Sequence, residues 1–118
     1  MSSEILLVIS TWPDLDAARR ASRALVEEQL AACANIVPGV ESIYRWKGEV
    51  ETANEVIVLF KTTTARYSAF EQRLCALHSY EVPEIVAFSP AGGLPAYLQW
   101  VEESCTRAGT STKLNRDS

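Results

Sequence analysis

The stretch "LHSYEVPEI", Leu77 to Ile85, holds the chain's one histidine, and within seven residues sets beside it a phenol and two carboxylates: His78, Tyr80, Glu81 and Glu84. An imidazole that changes charge near neutrality can serve as a general base or as a metal ligand, and a neighbouring carboxylate can share either task. The plain alternative is a helix end, where histidine complements the dipole, followed by a solvated glutamate. Three other residues have chemistry to offer. Tyr44 and Trp46, two apart, form an aromatic platform that could stack a ligand or bury against a neighbouring subunit. Lys61, straight after the apolar run "VIVLF", could hold an anion or simply reach solvent along its own stem.

Much can be excluded. Eleven Lys/Arg face fifteen Asp/Glu, for a net charge of -4, and no basic block could neutralise a run of phosphates, so nucleic acid is not an expected partner. The apolar runs "ILLVI" and "VIVLF" fall well short of the ~20 residues of a membrane span, and the N-terminus has no leader pattern. A cytoplasmic protein that does not enter a membrane is expected. No G-x-x-x-x-G-K-[ST], G-x-G-x-x-G, H-E-x-x-H or G-x-S-x-G occurs, which removes the mechanical parts of the common phosphate, dinucleotide, zincin and hydrolase sites. Cys33, Cys75 and Cys105 lack Cys-x-x-Cys spacing and read as buried small hydrophobes rather than as a disulfide framework or zinc knuckle.

The elements that must position these residues follow from periodicity. "EILLVIST", ended by Pro13, is a strand apolar on both faces. Asp14 can cap the helix after it, with Leu15, Ala18, Ala21 and Leu25 on one face. From Cys33 to Thr63 runs a long hairpin, broken by Pro38-Gly39 and turned near Gly48. Tyr67, Phe70, Leu74 and Leu77 stripe a second helix, capped by Thr63 or Thr64. "YEVPEIVAFS" is a fourth strand at an edge, Pro83 being unable to donate, with Tyr80, Val82, Glu84 and Val86 sharing a face. Leu94, Leu98, Val101 and Cys105 line a third helix, on which Trp100 fills the core. The predicted fold is α+β: a ferredoxin-like β-α-β-β-α-β sandwich with an additional C-terminal helix, one domain over 1–106 and a polar tail over 107–118. Right-handed crossovers put both long helices on one sheet face, leaving the other apolar and open, so self-association is expected.

"ACANIVPGVESIYRWKGEVE", the run from Glu55 to Lys61-Thr62, "HSYEVPEI" and "Y-L-x-W" (Tyr97 to Trp100) together resemble the CutA divalent-ion tolerance family, over nearly Val8 to Val101. The resemblance implies a tight homotrimer of ferredoxin-like subunits, similar in shape to the P-II signalling trimers, linked to tolerance of copper and other divalent cations and without an established enzymatic activity. Family members with a copper site show a cysteine ending the first strand and two adjacent histidines. Here those positions are Ser10, Leu77 and His78, so only His78 carries over as a metal ligand and binding of copper or another divalent cation is expected to be weak. Tyr44, Trp46, Lys61 and Glu84 are the residues expected in a groove between subunits. Two other readings remain open: a P-II-like module whose groove accepts a small anionic metabolite or a partner protein, and an acid–base pair of His78 with Glu84.

Overall fold

The computed structural model describes residues 4–106. The expected polar tail over 107–118 lies outside them. The β-branched run before Pro13 forms β1, Ile5–Trp12. Asp14 then takes an extended backbone and accepts from the Ala17 N–H at 2.8 Å, starting α1, Leu15–Glu27. β2, Cys33–Trp46, and β3, Glu49–Thr63, make the long hairpin. Its two turn residues, Lys47 and Gly48, both have positive φ (52° and 84°), the turn whose twist matches that of the strands it joins. The ladder slips between Val37 and Val40, where Gly39 has φ 74°. α2, Thr64–Leu77, is capped by the Thr63 hydroxyl; β4 is Ile85–Phe88 and α3 Pro95–Ser104.

The sheet order is β2-β3-β1-β4, with β1 antiparallel to both neighbours, as the split β-α-β pattern requires. α1 and α2 close one face. Leu6, Val8, Val56, Val58 and Phe60 meet Ala18, Ala21 and Leu25 of α1 and Phe70 and Leu74 of α2 in a single core. Phe60 and Phe70 pack edge-on with centroids 5.1 Å apart. Each large side chain buried here stabilises the fold by about 2 kcal/mol.

The second face is only partly open. Ile5, Ala32, Val101 and Cys105 pack together with Tyr97 and Trp100, so α3 covers one end of it. Beyond α3, the row Asn35–Leu59–Ile9–Val86 and the pair Val37–Ile57 cross the strands only partly covered, while Thr11, beside Ile57, is buried. Val37, Val86 and Phe88 are 42%, 45% and 49% exposed.

Three expectations need correction. The fourth strand begins at Ile85, not Tyr80, because Pro83 offers no ladder donor and the chain before it is bent onto His78. The face shared by Tyr80, Val82 and Glu84 therefore does not exist. Of the cysteines only Cys105 is buried; Cys33 is half-buried beside Tyr97 (Sγ to the hydroxyl oxygen 3.6 Å), and Cys75 sits on the solvent side of α2. Leu94 caps α3 by its backbone and stays exposed rather than joining the helix stripe.

Candidate functional site

His78 ends α2 in an extended conformation, and its ring turns under the end of β1. It is 9% exposed and stacks on Trp12 with centroids 4.0 Å apart. Nδ1 lies 3.1 Å from the Tyr80 backbone nitrogen and Nε2 lies 2.6 Å from the Thr11 carbonyl oxygen. An amide N–H can only donate and a carbonyl can only accept, which fixes the tautomer: Nδ1 accepts and Nε2–H donates. Both nitrogens are thus committed, and neither is bound to Glu84. The acid–base pair of His78 with Glu84 has no hydrogen bond behind it.

The ring anchors a chain of polar contacts. Trp12 Nε1 donates to Ser10 Oγ at 2.7 Å, so the serine at the position expected for a family ligand holds an indole in the core. Tyr80 packs against His78 with centroids 4.6 Å apart and donates its hydroxyl to Glu55 Oε2 at 2.6 Å. Burial first, and the Glu55 bond second, push the Tyr80 phenol well above its ordinary range, so it remains a donor. Glu55 is itself only 9% exposed.

In front of this chain lies a groove of about 740 Å³ between the β2–β3 hairpin and residues 79–84. Register explains its wall: Tyr44 faces Glu51 across the hairpin, Trp46 faces Glu49, and Val40 faces Glu55, which lines rings along β2 and carboxylates along β3. Tyr80, Glu81, Val82 and Glu84 form the opposite side. Of the residues expected in a groove between subunits, Tyr44, Trp46 and Glu84 are at this groove within a single chain. Lys61 is not. It belongs to the far end of β3, paired with Leu7 and Cys33, and donates to Asn35. Sequence reasoning missed Glu51 and Glu55, although a two-residue turn at Lys47-Gly48 fixes the pairing that brings Glu51 opposite Tyr44 and Glu55 opposite Val40.

Among the described residues, no three His, Cys, Asp or Glu side chains converge as a metal cage. Burial raises the Cys105 thiol to about 11, against thiolate formation, and Cys75 is remote on α2. The described residues of a single chain form no closed site for a resident metal.

A sequence profile described as CutA1 divalent ion tolerance protein matches residues 6–104. The chain belongs to the CutA1 divalent ion tolerance family. A divalent-cation tolerance protein CutA from Thermus thermophilus is 51% identical over 98 residues, covering 83% of this chain and 95% of its own length. The chloroplastic protein CutA of Arabidopsis thaliana is 37% identical over 99 residues; the match covers 84% of this chain and 54% of the plant protein, so this chain spans about half of it. CutA from Xylella fastidiosa superposes with a TM-score of 0.85 at 45% identity, covering 88% of this chain and 100% of that one. A CutA named periplasmic, from Archaeoglobus fulgidus, superposes with a TM-score of 0.83 at 33% identity over 86% of this chain and 99% of its own. CutA proteins named for the chloroplast and for the periplasm both occur, so membership does not fix the compartment. The CutA fold is this chain's fold, and the family is named for tolerance of cations rather than for a reaction.

Proposed function

We propose that this chain acts as a homotrimeric divalent-cation tolerance protein of the cytoplasm, binding copper or another divalent cation weakly and catalysing no reaction of its own. The observation that carries the reading is the apolar strip beyond α3, from Val37 and Ile57 through Leu59 and Ile9 to Val86 and Phe88. Water-facing apolar surface running across a whole sheet is the pattern of an interface, and a second copy of the same sheet offers matching chemistry. The exposed free thiol of Cys75 suits a reducing compartment.

Weak metal affinity follows from the donors. His78 could ligate through Nδ1 only by releasing the Tyr80 N–H, which costs about 1 kcal/mol. The remaining donors are carboxylates open to water, which favour hard, hydrated cations over Cu(I). The same acidic lining, with Lys61 elsewhere, argues against an anionic metabolite in a P-II-like groove. Light scattering coupled to gel filtration should give three times the subunit mass at micromolar concentration. Calorimetric titration of copper and zinc should show weak heats that shrink in His78→Asn; identical isotherms would remove His78 from the metal site.

A further inference from the structure

One cation interrupts the apolar sheet face. By register Lys61 lies on it between Leu7 and Cys33, and Phe88 follows Leu7 in the same row. Lys61 is half-buried and donates to Asn35 Oδ1, a neutral oxygen. Among the described residues the ion pairs are Arg23 with Glu27 and Arg73 with Glu28, so Lys61 has no carboxylate partner. In one subunit water solvates the ammonium. Under a second copy that water is lost, and an ammonium enclosed by apolar groups without a counter-charge is strongly unfavourable. Whatever covers this face must bring an acid to Lys61.

The chain carries such an acid at the far end of the same face. The extra residue of the ladder slip belongs to β2, so β3 alternates without interruption and Glu49 and Glu51 face the same way as Lys61. β1 stops pairing with β3 at Val56. From Glu55 to Glu49, β3 is therefore bonded to β2 alone, as a two-stranded arm beyond the rest of the sheet. A hairpin of two strands is marginal in water and is held by what it packs against. This arm shows Tyr44 and Trp46, 41% and 39% exposed, on the face in question. Glu51, opposite Tyr44, is exposed and among the described residues has no hydrogen bond or ion pair. The stretch of β3 from Glu51 to Lys61 spans about 33 Å, so the two cannot meet within one chain.

We propose that the arm of each copy lies across the apolar face of the next, where Glu51 accepts from the neighbour's Lys61 while Tyr44 and Trp46 shield the pair from water. The inference rests on the self-association proposed above and adds what fixes its geometry. A contact between two different surfaces of one chain builds a ring when its rotation closes. One charged pair in an otherwise apolar contact selects the register in which it closes.

The test follows assembly by gel filtration with light scattering, with circular dichroism reporting the fold of each variant. Lys61→Glu should convert the trimer to monomer at micromolar concentration, and so should Glu51→Lys. The two substitutions together should restore the trimer, whereas Lys61→Glu with Glu49→Lys should not. Lys61→Met keeps the length of the side chain and removes its charge, leaving Glu51 unpaired; its trimer should dissociate at a concentration about 10-fold above that of the wild type. Glu51 is exposed, so Glu51→Lys folds, and with Lys61→Met it decides the matter if Lys61→Glu does not fold. An intact trimer in the single reversals, no rescue by the pair, equal rescue by Glu49→Lys, or a Lys61→Met trimer as tight as the wild type or tighter would overturn the proposal. A wild type that elutes as a monomer would overturn the trimer and this contact together; any of the other results with a trimeric wild type overturns the contact alone.

Discussion

Replacing His78 by alanine tests the local architecture most directly. The substitution strips partners from the Thr11 carbonyl and the Tyr80 N–H. Each lost hydrogen bond costs about 1 kcal/mol. Loss of the stack on Trp12, at 4.0 Å between centroids, adds about 1 kcal/mol. The volume vacated by a ring that is 9% exposed adds about 1 kcal/mol more. The sum is about 4 kcal/mol per subunit, a fall in Tm of about 15 °C for a chain of this size. In His78→Asn the side-chain oxygen can take the place of Nδ1 and keep the Tyr80 bond, so that variant should recover about 1 kcal/mol. Guanidinium unfolding followed by circular dichroism measures both, at one fixed protein concentration because association adds stability by mass action. A loss below about 1 kcal/mol in His78→Ala, or an asparagine variant no better than alanine, would refute the assignment of His78 as the clasp between β1 and residues 79–84.

Val86→Lys puts a charge on the uncovered sheet face at a position 45% exposed in one subunit; it should leave an intact fold that elutes as a monomer in gel filtration with light scattering. Phe70→Ala empties the centre of the main core, beneath Phe60, and should cost about 4 kcal/mol in denaturant unfolding. Burial raises Cys105 from 9.0 to about 11, so the folded state holds that proton more tightly than the unfolded one. Its contribution is complete below pH 9 and is lost as pH climbs toward about 11. The denaturation midpoint should fall over that interval, and Cys105→Val should flatten this part of the profile.

Local rules carried most of the fold. Asp14 and Thr63 cap helices where their types and positions say they should. Alternation and apolar runs located β1 and the hairpin, and Pro38-Gly39 marked the slip in its ladder. The split β-α-β order followed, because right-handed crossovers leave few alternatives. The weak point was "YEVPEIVAF". Its residue types favour a strand throughout, yet only Ile85–Phe88 pair with β1. Strand propensity describes a fit to a neighbouring surface, and at Tyr80 that surface is an imidazole ring rather than another strand.

The candidate site divides along the same line. Tyr44, Trp46 and Glu84 could be proposed from their types, and a two-residue turn was enough to pair the rings with Glu49 and Glu51. That Lys61 lies apart from them was also implicit, since β3 carries it well beyond Glu55. The sequence determined by itself the order of elements, their caps and the apolar faces, because those depend on neighbours a few residues apart. Only the tertiary structure decided that both nitrogens of His78 are taken, that Ser10 supports Trp12, and that Glu55 is buried under Tyr80. The His78–Thr11 and Tyr80–Glu55 bonds join distant segments and form when β1, β3 and the end of α2 close on one another; the shorter Ser10–Trp12 and His78–Tyr80 bonds depend on which way each ring then points, which no spacing along the chain encodes.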